Sequence, residues 1–142
     1  ETSIGLDRMF LAVFSNSLQE EELENGSTRT VLKIPAVLAP NKVAVLPLLK
    51  RDGLPEVAQK LVDELKWDFN VDYDEKDAVG RRYRRQDAAG TPFCVTVDHQ
   101  TLEDDTVTIR HRDTMDQKRV KLSEVKDIIS KEVDMRYWLQ KI

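Results

Sequence analysis

Residues 42–73 read KVAVLPLLKRDGLPEVAQKLVDELKWDFNVDY, and the spacing of their apolar side chains decides the fold. Val43, Ala44, Val45 and Leu46 form an unbroken apolar run after Lys42, which predicts a strand over Lys42 to Leu48 covered on both faces. Across Leu54 to Lys66, Val57, Ala58, Leu61, Val62 and Leu65 recur at helical spacing. Phe69, Val71 and Tyr73 then alternate with polar neighbours, the pattern of a second strand. Strand, helix and strand in immediate succession make a βαβ unit with a right-handed crossover.

Reading outward, Arg81 to Ala89 is a short helix stopped by Gly90, and Phe93 to Asp98 is a strand with Phe93, Val95 and Val97 on one side. Asp104 and Asp105 read as turn residues before a strand over Thr106 to Arg112, with Gln117 to Leu122 as its hairpin partner. Ser123 is the expected N-cap of a helix carrying Val125, Ile128, Ile129 and Val133 inward, and Met135 to Ile142 is compatible with a further helix. The fold class is therefore α/β, a five-stranded mixed sheet flanked by helices. Toward the N-terminus, Arg8 to Leu18 is apolar on most sides, so it predicts a helix that has to be buried. Gln19 to Lys33, rich in glutamate, reads as a mobile acidic loop, and the prolines of Pro35 to Pro40 as a domain linker. The expected organisation is residues 1–34 as an appended segment, 35–41 as linker and 42–142 as the main domain.

The chain has 142 residues, with 22 basic and 26 acidic side chains and a net charge of -4. That is the size of one ordinary domain. No apolar run reaches the length of a membrane span, and a single cysteine, Cys94, excludes an internal disulfide, so a reducing, cytoplasmic compartment is expected. Two histidines, His99 and His111, permit no zinc spacing, and no metal site is expected. The absent initiator methionine and the early apolar stretch lead to the expectation of a piece of a longer protein.

Charge is unevenly placed. Residues 1–75 sum to -6 and residues 76–121 to +2. Four of the five residues from Arg81 to Arg85 are arginine, and Arg81, Arg84 and Arg85 share one side of a helix. Arg110 and Arg112 point together from one strand face. Arginine forks onto phosphates and base edges and stacks on flat rings, so with Tyr83, Phe93 and His99 nearby these residues suit a grip on single-stranded RNA. The plainer reading is a solvated face paired with Asp74, Asp77 and Asp87. The net acidity also speaks against a sequence-blind nucleic-acid binder. Cys94 reads as structural, because nothing near it in sequence lowers a thiol pKa.

Several motifs together resemble one family. Glu1-Thr-Ser-Ile-Gly-Leu-Asp-Arg8 resembles the third signature motif of class II aminoacyl-tRNA synthetases. Gly80-Arg-Arg-Tyr-Arg-Arg-Gln-Asp87, Gly90-Thr-Pro-Phe93, Val95-Thr-Val-Asp98 and Thr108-Ile-Arg-His-Arg-Asp-Thr-Met115 resemble the C-terminal anticodon-binding domain of the glycyl-tRNA synthetases, in matching order and spacing.

The resemblance implies a class IIa anticodon-binding fold in residues 42–142 and a catalytic-domain remnant in residues 1–34. It implies that Arg8 contacts ATP and that Glu1 and Ser3 help to hold glycine. The parent enzyme would be a homodimeric, ATP- and magnesium-dependent glycine–tRNA ligase. Without the first two class II motifs, this stretch alone would hold no complete catalytic set and no cofactor. Arg81, His99 and Arg112 would lie on the surface that reads anticodon bases, with Arg82, Asp98 and Arg110 beside them. Glycine tRNAs share two cytosines in the anticodon. An acidic group such as Asp98 suits the cytosine amine, and arginines suit its ring nitrogen and carbonyl. The partner is thus glycine tRNA, with no role for membrane or DNA. Two other readings stay open: a phosphate or small-molecule domain binding at the strand ends above Lys42 to Leu48, and a ligand-free interaction module docking through the apolar helix from Met9 to Phe14. If that helix belongs to an absent domain, it is expected to be disordered, self-associated or folded back on the sheet.

Overall fold

A computed structural model describes residues 2–142. The βαβ unit is β3 (Val43–Pro47), α2 (Leu54–Leu65) and β4 (Val71–Tyr73), preceded by α1 (Leu6–Ser17), β1 (Leu18–Glu22) and β2 (Thr28–Leu32). It continues through α3 (Val79–Ala89), β5 (Phe93–Val97), α4 (His99–Asp104), β6 (Thr106–His111), β7 (Gln117–Lys121), α5 (Val125–Val133) and α6 (Met135–Leu139). The five-stranded sheet runs β4-β3-β5-β6-β7, with β3 parallel to β4 and β5, and β6 antiparallel to β5 and β7.

The two faces of this sheet are held by different forces. On one, Val43, Val45, Val95, Val97, Val107 and Ile109 pack on Leu54, Ala58, Leu61 and Leu65 of α2 and on Val125, Ile129 and Val133 of α5. Each fully buried aliphatic side chain there contributes about 1.5–3 kcal/mol. On the other, the apolar cluster is only Ala44, Leu46 and Cys94 under Tyr83, and α3 turns a polar stripe inward, burying Arg82, Gln86 and Asp87.

Asp87 organises that second face. Its Oδ1 accepts from Arg110 Nη1 at 2.7 Å, and its Oδ2 accepts from Arg110 Nη2 at 3.0 Å and Arg29 Nη1 at 3.1 Å. Arg29 comes from β2 and also donates to Glu21 and to the Arg112 carbonyl oxygen at 2.9 Å. Arg110 lies over the Tyr83 ring, 4.9 Å from its centroid. Among the described residues no buried side-chain nitrogen or oxygen lacks a partner, the condition under which a buried ionic cluster is tolerated.

Four expectations are corrected. The mobile loop of residues 19–33 is an antiparallel hairpin, Leu18 opposite Leu32, closed by a turn with Gly26 at φ +74°. It is welded to α3 through Arg29 and by Leu32 and Ile34, which press on Gly90; a Cβ at Gly90 would stand 3.0 Å from Leu32 Cδ2. The linker is not free either: Ala36–Leu38 forms a 3-10 turn, and Lys42 Nζ donates to the Ala36 and Val37 carbonyl oxygens. The turn after β5 contains the additional helix α4, capped by Asp98, whose carboxylate accepts from the Thr101 amide while the Thr101 hydroxyl accepts from the Asp98 amide. Ser123 is not the cap of the last long helix; it lies inside a 3-10 turn, Leu122–Glu124, that leads into α5.

Helix α1 is regular but not buried. Leu6, Met9, Phe10 and Leu11 are exposed, and its main contacts are with β1 and β2 of the hairpin. Its apolar face meets no complementary surface among the described residues.

Removing the central anion leaves Arg110 as an uncompensated buried cation and leaves Arg29 with Glu21 as its remaining carboxylate partner. Asp87→Ala is expected to cost about 3–5 kcal/mol, read as a lowered urea midpoint. An unchanged midpoint would mean that the hairpin and α3 are not held by this charge.

Candidate nucleic-acid interface

The carboxyl ends of the parallel strands meet at one rim. From β3 the chain passes to α2 on the apolar face; from β4 it passes to α3 on the opposite one. In open α/β sheets such a divergence is where ligands bind. Arg82 builds the rim from within: Nη1 donates to the Pro47 carbonyl oxygen at 2.5 Å, Nη2 to that of Leu48 at 3.2 Å and Nε to that of Asp77 at 3.2 Å. It ties the ends of β3 and β4 to the start of α3.

Arg85 fixes the β4–α3 loop. Its guanidinium meets Asp74 Oδ2 at 2.7 Å, Asp77 Oδ2 at 2.8 Å and the Lys76 carbonyl oxygen at 2.7 Å. Burial acts to raise the Asp74 carboxyl, but the Lys76 amide and Arg85 outweigh it and hold it below the usual carboxylate range.

The expected site residues divide sharply. Arg81 projects from α3 with its side chain 77% exposed, and its nearest anion, Asp77, is 4.0 Å away. His99 is also exposed, its Nε2 2.9 Å from Asp52 Oδ2, on a loop where Asp52 adopts φ +65°. Asp98 stands beside it, half-buried, holding Arg119. Burial works to raise the Asp98 carboxyl, but Arg119 and the Thr101 amide prevail and keep it below the usual range.

Arg82, Arg110 and Arg112 are corrected from surface readers to internal clamps. They are 2%, 5% and 2% exposed. Arg112 donates to the Gly90 and Ile34 carbonyl oxygens, both at 2.8 Å, and to Asp113. A guanidinium already engaged on this scale has no edge left for a base. Arg110 and Arg112 do face the same side, as the alternation required, but that side is covered by α3 and the hairpin.

Cys94 is buried and its thiol is pushed up to about 12 by burial, so it supplies no thiolate. Arg8 is exposed on α1 and Ser3 precedes that helix; Glu1 lies outside the described residues. Arg8 and Ser3 alone make no nucleotide site, and among the described residues no group of three acidic, histidine or cysteine side chains is placed to hold a metal ion.

The sequence reading missed Arg119, Asp52 and Arg29. Arg119 sits in the polar strand Gln117–Lys121 beside Lys118 and near Lys121, where nothing singles it out. Asp52 gave only an unremarkable turn, and Arg29 stood inside an apparent loop.

The anticodon binding domain family matches residues 42–132. The chain belongs to that family. The anticodon-binding domain has relatives along nearly its whole length. It is similar to a glycine–tRNA ligase of Rhodopirellula baltica, 57% identical over 129 residues that make up 88% of this chain and 24% of that relative. It is also similar to one of Borrelia hermsii, 47% identical over 133 residues, 94% of this chain and 30% of that relative. The chain thus spans under a third of the length of these curated relatives. Among solved structures, the RNA binding domain of a threonyl-tRNA synthetase from Cryptosporidium parvum superposes with a TM-score of 0.64 at 23% identity, over 71% of this chain and 26% of that one. A prolyl-tRNA synthetase of that organism superposes with a TM-score of 0.65 at 16% identity, over 86% of this chain and 32% of that one. At these identities the likeness is one of fold. The mixed five-stranded sheet with flanking helices is the fold of these anticodon-binding domains.

The family match begins at residue 42, whereas the packed body begins at the hairpin, which supplies Arg29 to the buried cluster.

The lowered Asp74 pKa fixes the sign of a pH effect. The pairing with Arg85 is fully present above the unfolded carboxyl value of about 4 and is lost as pH falls through the lower folded value. Asp74→Asn is expected to cost about 1 kcal/mol at pH 7, since Arg85 is partly exposed, and to flatten the decline in urea midpoint as the pH falls below the unfolded carboxyl value of about 4. A variant that declines as steeply as the parent would exclude this pair as the origin.

Proposed function

We propose that this domain reads the anticodon of glycine tRNA on behalf of an enzyme that attaches glycine to that tRNA. The observation that carries the reading is the likeness, over about nine-tenths of this chain and at about half identity, to part of glycine–tRNA ligases, in a chain of the anticodon-binding family. The rim supports it. Exposed Arg81 near the start of α3, and exposed His99 with the half-buried Asp98 at the end of β5, follow the carboxyl ends of parallel strands, where this class of sheet takes its ligands. Lys50 and Arg51 in the β3–α2 loop and Lys76 in the β4–α3 loop are further exposed cations.

Arg81, with a long free side chain, takes phosphate; His99, held by Asp52, offers a flat ring for a base to stack on. Asp98 is the acceptor for a cytosine amine. No further arginine of the expected set joins them, because Arg82, Arg110 and Arg112 hold the rim from inside. Residues 1–34 belong, on this reading, partly to a catalytic domain, with Arg8 directed to ATP and Glu1 and Ser3 to glycine, the parent enzyme being a homodimer that uses ATP and magnesium. This part rests on the resemblance of the Glu1 to Arg8 stretch to the third class II motif. A reducing cytoplasm fits the one cysteine, which is buried, and among the described residues no helix is long and apolar enough to cross a membrane.

The test is affinity for a glycine tRNA anticodon stem-loop, with each of the two cytosines replaced in turn, at two salt concentrations. A loss of about 1–3 kcal/mol per replaced base is expected. Arg81→Ala should weaken all loops alike and reduce the logarithmic salt slope by about one. His99→Ala should cost about 1–3 kcal/mol through lost stacking. Equal binding to every loop, fading steeply with salt, would reduce the interaction to phosphate attraction.

A further inference from the structure

Arg119 differs from the other arginines of the sheet. Arg29, Arg82, Arg110 and Arg112 are buried, each with its guanidinium spread over several internal acceptors. Arg119, on β7 opposite Thr108, keeps its side chain 30% exposed. Its terminal edge is occupied: Nη1 meets Thr106 Oγ1 at 3.0 Å and Asp98 Oδ1 at 3.3 Å, and Nη2 is paired with Asp98 Oδ2. The side edge, formed by Nε–H and the outer Nη2–H, meets no acceptor among the described residues.

Asp98 is similarly half-committed. Oδ1 takes the Thr101 amide, the Thr101 hydroxyl and Arg119, whereas Oδ2 takes Arg119 alone. A carboxylate oxygen carries two lone pairs, so Oδ2 retains one. The Asp98–Arg119 pair therefore offers, in order, two N–H donors and one acceptor, held in place by α4 and β6.

That order has one complement among the pyrimidines. The pairing edge of cytosine presents two acceptors, the carbonyl oxygen and the ring nitrogen, followed by an amine donor. Uracil presents acceptor, donor, acceptor, and opposes the pair at two of three positions. We propose that Arg119, aimed by Asp98, is a specificity-determining residue that selects cytosine over uracil at one anticodon position: Nε and Nη2 donate to the carbonyl oxygen and ring nitrogen, and Oδ2 accepts from the amine. This rests on the anticodon-reading function above and supplies the donor that the buried Arg110 and Arg112 do not.

The measurement is the ratio of affinities for stem-loops carrying cytosine or uracil, taken at each of the two cytosine positions, for the chain and for Arg119→Lys and Asp98→Asn. Because the ratio is formed within each variant, any loss of folded protein cancels. Arg119→Lys keeps the charge but loses the fork, and its cytosine preference should fall by roughly 5- to 150-fold at one position only. Asp98→Asn presents an amide donor toward the uracil carbonyl and should lower the preference at that same position. Variants that bind more weakly yet keep both ratios would leave Arg119 a structural partner of Asp98 and overturn the proposal. A parent chain with no preference at either position would instead overturn the anticodon-reading function itself, and this proposal with it.

Discussion

The buried carboxylate of Asp87 is the constraint on which the second face of the sheet depends. An unpaired anion at that depth is prohibitive, so its presence dictates its surroundings: Arg110 from β6 on one side, Arg29 from β2 on the other. Each arginine brings a further obligation. Arg29 needs Glu21, which draws in β1 and Lys33. Arg110 needs a ring, and Tyr83 provides it while its hydroxyl meets Thr96 at 2.7 Å. One side chain thus joins hairpin, helix and sheet where only a small apolar cluster is available to do so.

The same constraint sorts the arginines. On α3 the period of the helix places Arg82 and Asp87 inward and Arg81, Arg84 and Arg85 outward. The inward side chains spend their hydrogen bonds inside the fold, and of the outer ones Arg85 is held by Asp74 and Asp77, which leaves Arg81 the most exposed for a partner. Arg82 converts its inward position into geometry, since four carbonyl oxygens at the rim, those of Pro47, Leu48, Asp74 and Asp77, are held by one planar group. The interface is rigid because its supporting cations are not part of it.

How legible this was depended on which force holds each element. The α2 and α5 side followed from apolar spacing alone: β3, α2, β4 and the hairpin of β6 and β7 lie within a residue or two of where the sequence puts them, and Gly90 ends α3 at φ +81°. The polar side did not, because hydrophobic periodicity cannot register a strand whose inward residue is Arg29. The Asn25-Gly26 pair, a strong hairpin signal, was the clue in that glutamate-rich stretch. At the candidate site, composition and resemblance pointed to α3 and the end of β5, and assigned to the surface three arginines that are buried. Spacing tells which residues share a face, not whether another element covers it. Arg119 gave no sign at all, because its orientation depends on Asp98, which is 21 positions away in the chain.

A domain with net charge -4 is poorly equipped to capture RNA by long-range attraction, and its rim is mixed, with Asp52, Asp77 and Glu75 among the cations. Long-range attraction is the sequence-independent part of nucleic-acid binding. A surface that forgoes it relies on contacts that only the correct bases complete, since desolvated donors and acceptors left unmatched are costly. On the proposed function, the acidity of the chain and the carboxylates of the rim act against binding to arbitrary phosphate backbone, so that base-edge complementarity decides which RNA is held.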